Sequence, residues 1–89
     1  MKYKLRYSKA YKKGIKKLNN SDRLLLENIL SKLANGEKLE SKYKNHTLKG
    51  NLKGIWDCHI KHDLVLLYKK EEDILILTAL AIGSHSEMF

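Results

Sequence analysis

Four histidines give this chain its clearest capacity for chemistry, and all of them lie in its second half: His46, His59, His62 and His85. Imidazole is the side chain best suited to moving protons near neutral pH. Cleavage of RNA by a ribose 2′-OH needs a base for that hydroxyl, an acid for the leaving 5′-oxygen and cations for the phosphorane charge. Neighbouring carboxylates and lysines supply the other groups of such a site: Asp57, Asp63, Lys49 and Lys53. Composition alone still favours four ordinary surface or core histidines.

The charge of the chain points to a polyanionic partner. The net charge is +8 over 89 residues, and residues 1–20 contain eight Lys or Arg and no Asp or Glu. Such a surface attracts nucleic acid or an acidic protein. The alternative is that the charge only keeps the protein in solution. The length suits one domain, residues 1–89, with a single modest core.

Cys58 is the only cysteine, so no disulfide framework is expected, and a reducing cytoplasm is the natural environment. The N-terminus lacks the apolar segment of a secretory signal, and no apolar run is long enough to span a bilayer. Cys58 and His59 are adjacent and would point to opposite sides of a strand. No metal site and no cofactor are therefore expected, and Cys58 is predicted to lie in the core rather than to act as a nucleophile.

The elements that must position these residues can be read from periodicity. Residues 2–7 alternate as a strand, and Ser8 can cap a short helix that extends to about residue 18. An apolar stripe predicts a second helix at about 22–35, capped by Ser21 and ended by Asn35-Gly36. Residues 37–50 read as a loop, and strands are expected at about 52–60, 64–69 and 74–82. The predicted fold is α+β with the order β-α-α-β-β-β, an antiparallel sheet of about four strands and two helices on one face.

Alternation along the 52–60 strand separates its side chains into two sets. Trp56, Cys58 and Ile60 should face the helices. Lys53, Asp57 and His59 should lie together on the open face, because burying an unpaired carboxylate is costly.

The second half of the chain also resembles a known family in order and spacing. The residues that carry the resemblance are His46-x-Leu48-Lys49-Gly50, Lys53-Gly54-x-x-Asp57-Cys58-His59-Ile60, Asp63-Leu64, Tyr68 and Gly83-Ser84-His85-Ser86-Glu87-Met88-Phe89. They are similar to the YafQ-type toxins of the RelE/ParE superfamily of type II toxin–antitoxin systems. The first half matches only in size, basic charge and layout.

The resemblance implies a RelE-like fold and an endoribonuclease that cleaves mRNA, often on the ribosome, without a metal or cofactor. It also implies an antitoxin whose acidic segment blocks the site. The catalytic positions in the family pattern correspond to His46, His59, Asp63, His85 and the terminal aromatic Phe89. To these we add Lys49 and Lys53 as phosphate-binding residues and Asp57 as a support for His59.

Two positions depart from the family pattern, because many members have arginine where this chain has Trp56 and Ala81. Loss of a cationic group near the phosphate predicts slower catalysis. Two alternatives to a ribonuclease remain: a ParE-like toxin that inhibits gyrase without cleaving anything, and a non-catalytic basic RNA-binding domain. The histidine set favours cleavage over the first of these. Phe89 could stack on a base or pack against the sheet edge.

Overall fold

The computed structural model describes residues 1–48 and 54–88. Its elements are, in chain order, β1 (Lys4–Tyr7), α1 (Lys9–Ile15), α2 (Asn20–Ala34), a 3₁₀ turn (Ser41–Tyr43), β2 (His46–Thr47), β3 (Ile55–Lys61), β4 (Leu64–Glu71), β5 (Ile76–Gly83) and α3 (His85–Met88). The described strands form one sheet in the order β1-β5-β4-β3-β2. The predicted α+β class is confirmed.

The sheet differs from the prediction in two respects. It has five strands among the described residues instead of about four, because β2 lies within the segment that was expected to be a loop. Two residues are too few to show a period, so β2 is defined only by its pairing with β3. In addition, β1 pairs with β5 in parallel, while the other pairs are antiparallel. Pairing between strands so distant in sequence leaves no local signal.

The helix ends follow from capping. Ser8 caps α1 as predicted and accepts a hydrogen bond from the Tyr11 amide at 3.0 Å. The predicted cap of α2 was wrong: Asn19 caps it by accepting from the Asp22 amide at 2.8 Å, so Ser21 lies inside the helix. Gly36 has a φ of 80° and ends this segment as expected. The C-terminal residues contain α3, a short helix that no periodicity in the sequence predicted.

The core lies between α2 and one face of the sheet. The apolar stripe of α2 packs against Cys58, Ile60, Leu66 and Tyr68. Cys58 is fully buried, as alternation predicted, and burial raises the pKa of its thiol to about 12. Trp56 shares this side of the sheet but is only partly buried, and its ring stacks on that of Tyr68 with the centroids 6.0 Å apart. Among the described residues, no helix is long and apolar enough to cross a membrane.

Gly14 allows α1 to approach β5 closely. A Cβ at this position would lie 2.5 Å from the Ile82 carbonyl oxygen, a backbone atom that cannot move aside easily. Helix propensity alone predicts that Gly14→Ala stabilises the protein by about 1 kcal/mol. We expect the opposite result, a loss of roughly 1–3 kcal/mol from overpacking. Urea unfolding of this variant measures the difference, and the exposed Lys13→Ala in the same helix should stay within about 0.5 kcal/mol of wild type. Stabilisation by Gly14→Ala would contradict the close approach.

Candidate active site

Pairing of β2 with β3 brings the first group of candidate residues together. His46 lies directly opposite Asp57 in the register of the two strands. His59 lies two residues further along β3, so its side chain projects from the same face as that of Asp57. Side chains opposite each other in an antiparallel pair share a face and lie about 5 Å apart. The sheet thus gathers His46, Asp57 and His59 on the side away from α2.

Asp57 is buried, which corrects the expectation that it lies on an open face. Only 4% of its surface is exposed, and Val65 on the same face is fully buried. The face opposite the helices is therefore closed to solvent around these two residues, which alternation along a strand cannot reveal. The Asp57 Oδ1 atom has no hydrogen-bond partner within the described parts of the chain.

His59 is the described basic side chain nearest to that carboxylate. Its Nε2 atom lies 3.4 Å from the Asp57 Oδ1 atom, and about a quarter of the His59 side chain is exposed. The distance suits an ion pair, although the alignment does not meet hydrogen-bond geometry. A buried carboxylate is costly unless it is paired, so His59 is the described side chain placed to compensate the charge of Asp57.

His46 is oriented by a backbone carbonyl. Its Nδ1 atom lies 2.5 Å from the Lys44 oxygen. A carbonyl can only accept a hydrogen bond, so Nδ1 must carry the proton. In the neutral ring the lone pair is then on Nε2, which is the arrangement that a general base requires.

The segment before His46 is held at two further points. Lys44 follows the 3₁₀ turn with a φ of 46°, a left-handed conformation that is uncommon for a residue other than glycine. The Oδ1 atom of Asn45 accepts a 2.6 Å hydrogen bond from the hydroxyl of the buried Tyr68. No pattern in the sequence singles out Lys44 or Asn45, and Tyr68, the partner of Asn45, is 23 residues away in the chain.

The second group of candidates forms where β5 ends. Asp63, in the β3–β4 turn, accepts a 3.4 Å hydrogen bond from the His85 amide at the start of α3. Ser84 and Glu87 form a reciprocal cap on this short helix: the Ser84 amide donates to the carboxylate and the Glu87 amide to the Ser84 hydroxyl. Hydrogen bonds from Ser84 lower the pKa of Glu87 below its usual value. Asp63 therefore contacts the backbone of His85 rather than His59.

The two groups lie at the same end of the sheet. His59 is opposite Val65 on β4, and Val65 is opposite Gly83 on β5. With neighbouring strands about 4.8 Å apart, the backbones at His59 and Gly83 are separated by roughly 10 Å. The two groups are therefore neighbours in the fold. Lys49, Lys53 and Phe89 lie outside the described residues.

The two positions at which many family members have arginine, Trp56 and Ala81 in this chain, lie on opposite faces of the sheet. Trp56 is on the side of the sheet that faces α2, away from His46 and His59. Ala81 pairs with Leu67, which on its other side pairs with Asp57, so Ala81 belongs to the same row of the sheet as His46 and Asp57. An arginine at position 81 would thus project towards the candidate site, whereas one at position 56 would start from the opposite face.

Comparison with known proteins gives consistent results along nearly the whole chain. Residues 3–89 match the family described as bacterial toxin of type II toxin–antitoxin system, YafQ. The chain is 31% identical over 88 residues to the mRNA interferase toxin YafQ of Escherichia coli K12, covering 96% of this chain and 94% of the relative.

Two solved structures are also similar to this chain. The toxin in the E. coli DinJ–YafQ toxin–antitoxin complex is 29% identical with a TM-score of 0.86, covering all of this chain and 99% of the other. A metal-bound toxin from Helicobacter pylori is 35% identical with a TM-score of 0.85, covering 98% and 99% of the two chains. In this chain, residues 1–48 and 54–88 contain no group of three or more His, Cys, Asp or Glu arranged to hold a metal ion. The match over residues 3–89, together with the shared fold, places the chain in the YafQ family of type II toxin–antitoxin toxins.

Proposed function

We propose that this chain is the toxin of a type II toxin–antitoxin system and an endoribonuclease that cleaves mRNA, which stops translation. The observation that supports this proposal best is the grouping on one sheet face of a histidine whose Nε2 lone pair is available and a histidine paired with a buried carboxylate. These groups suit proton transfer and charge stabilisation during attack by a 2′-OH. The relatives named mRNA interferase toxins support the choice of substrate.

Each described residue has a distinct proposed role. His46 accepts the proton of the 2′-OH at Nε2. His59, held beside the Asp57 carboxylate, stabilises the charge that develops on the phosphorane. His85 donates the proton to the leaving 5′-oxygen, and Asp63 positions it by binding its backbone amide. Lys49, Lys53 and Phe89 remain predictions from the sequence, as phosphate-binding residues and as an aromatic group that contributes to activity.

The partner we propose is an acidic antitoxin. The net charge of +8 favours an acidic segment, and the similarity to the toxin of the DinJ–YafQ complex supports a protein partner of this kind. The place of action we propose is the bacterial cytoplasm, where mRNA is translated and where a lone thiol such as Cys58 stays reduced.

The test is cleavage of RNA by the purified protein in excess chelator, with and without ribosomes. Attack by the 2′-OH leaves a 2′,3′-cyclic phosphate on one product and a 5′-hydroxyl on the other, and we expect these ends. Products with 5′-phosphate ends, or cleavage abolished by the chelator, would contradict the mechanism. Inhibition of gyrase in a supercoiling assay, without any RNA cleavage, would favour the ParE-like alternative.

Tyr68→Phe tests whether the segment at Asn45 positions His46. The change removes the 2.6 Å hydrogen bond to Asn45 but keeps the ring in the core. We expect a loss of about 1 kcal/mol in unfolding free energy and a fall in kcat of about tenfold, because a small displacement of a proton-transfer group is costly. Tyr11 is also buried but lies on α1, so Tyr11→Phe is the matched control and should leave kcat unchanged. Equal kcat values for both variants would argue against a positioning role of Tyr68.

A further inference from the structure

We infer that a basic cleft beside His59 binds a nucleotide of the single-stranded RNA next to the one that is cut. This basic cleft lies between the 3₁₀ turn and the end of β3, has a volume of about 460 Å³, and is bounded by Lys42, Tyr43, Lys44, His59, Lys61 and His62. The volume falls within the range of roughly 300–1,000 Å³ that is typical of ligand pockets. The inference rests on the proposed function, since it extends the path of the same substrate.

The charge of the basic cleft suits a phosphate. Its described lining contains three lysines and two histidines and no carboxylate. Lys61 lies 2.8 Å from Asp22 at the start of α2 and thereby ties that helix to β3, so a structural role accounts for it. Lys42 is 4.0 Å from Glu40, but both side chains are about two-thirds exposed, so this pair is weak. Lys42 and His62 are therefore exposed groups through which the basic cleft can bind a phosphate.

The basic cleft is continuous with the candidate active site. His59 belongs to both, and the Lys44 carbonyl that orients His46 comes from a residue of the cleft wall. The pairing of β3 with β4 is irregular between His59 and Lys61, and an irregularity of this kind re-aims the side chains around it. The basic cleft also reaches Leu25 of α2, so a strand of RNA with its scissile phosphate near His46 and His59 enters it by passing around the edge of β3 beside His59.

Tyr43 makes a nucleotide a better occupant than an acidic peptide. Its ring is partly buried against the core, forms part of the cleft wall and has the Lys42 ammonium 5.2 Å from its centroid. An aromatic face beside cations matches a base with its phosphate, and stacking of unpaired bases on such rings is sequence-tolerant. An acidic peptide would use the cations but would gain little from the ring.

The test compares two variants with the same change of charge. The variant with Lys42→Glu and His62→Gln lowers the net charge of the basic cleft by two units when His62 is neutral. Lys4→Glu makes the same change on the exposed surface of β1, at the opposite edge of the sheet. Binding of a single-stranded 2′-O-methyl oligonucleotide, which lacks the attacking hydroxyl, is measured by fluorescence anisotropy over a range of salt concentrations. This readout needs no chemistry, so it separates failure of the inference from failure of the proposed function.

We expect the cleft variant to raise Kd about tenfold and to reduce the slope of log K against log salt by about 0.7 for each phosphate that the protein no longer neutralises. In cleavage assays KM should rise while kcat stays within twofold, and Lys4→Glu should change Kd by less than twofold. Equal weakening by both variants would overturn the inference, because it would show only the effect of overall charge. Unchanged RNA binding with weaker binding of an acidic antitoxin would also overturn it and assign the basic cleft to a protein partner.

Discussion

Replacing His46 with glutamine is expected to lower kcat for RNA cleavage by about 10²–10⁴-fold, the range typical of a lost general base. The glutamine amide lies where Nε2 was but is not basic, so the change removes the proton acceptor together with the hydrogen bond from Nδ1 to the Lys44 carbonyl. His46 is exposed on a two-residue edge strand, so the folded state should keep its stability. Single-turnover cleavage at saturating protein measures the effect without interference from binding or product release.

Two controls make this result specific. Thr47→Ala changes the neighbouring residue of β2, whose side chain points to the other side of the sheet, and should leave kcat within twofold. Nitrogen-15 NMR of the wild-type imidazole should show the Nδ1–H tautomer, since Lys44 offers only an acceptor. Cleavage by the glutamine variant within threefold of wild type would remove His46 from the mechanism, and the Nε2–H tautomer would remove the reason for making it the base.

The sequence predicted those features of the site that depend on a single strand. Alternation along β3 correctly placed Cys58 in the core and put Asp57 and His59 on one face, because the direction of a side chain in a strand follows from its position. Burial of Asp57 was not predictable in the same way. It depends on what covers that face of the sheet, and no local pattern in β3 records it.

Interactions between distant segments account for the other differences. His46 meets Asp57 only through the pairing of β2 with β3, and Asp63 meets His85 only because the β3–β4 turn and the end of β5 lie at the same end of the sheet. Alternation along one strand was enough to put Asp57 beside His59, but nothing local predicted that Asp63 meets the His85 amide. Asn19 and Ser21 illustrate the same limit within a helix, since both are good caps and only the backbone decides between them.

Replacing Asp57 with asparagine is expected to separate activity from stability. The Asp57 carboxylate is buried, and one of its oxygens has no hydrogen bond in the described structure. Its burial therefore lowers the stability of the folded state. Asparagine has nearly the same shape and removes the charge. We expect the free energy of unfolding to rise by about 1 kcal/mol, because the cost of burying a charge is removed and the partner left behind, His59, is about a quarter exposed and can be neutral. Urea unfolding of the variant and the wild type at neutral pH measures this difference in free energy.

The same variant should lose activity. Without the charge of Asp57, the described structure offers His59 no carboxylate partner, and the neutral amide oxygen of asparagine supports positive charge on the imidazole less well. We expect kcat to fall by about 10²–10³-fold, comparable with loss of one electrostatic group that acts on the transition state. Glu27→Gln, which neutralises an exposed carboxylate on α2, is the control and should change neither quantity appreciably. Loss of stability together with activity would make Asp57 a structural residue, whereas gain of stability with loss of activity would show that the fold tolerates a costly buried charge because His59 needs it for catalysis.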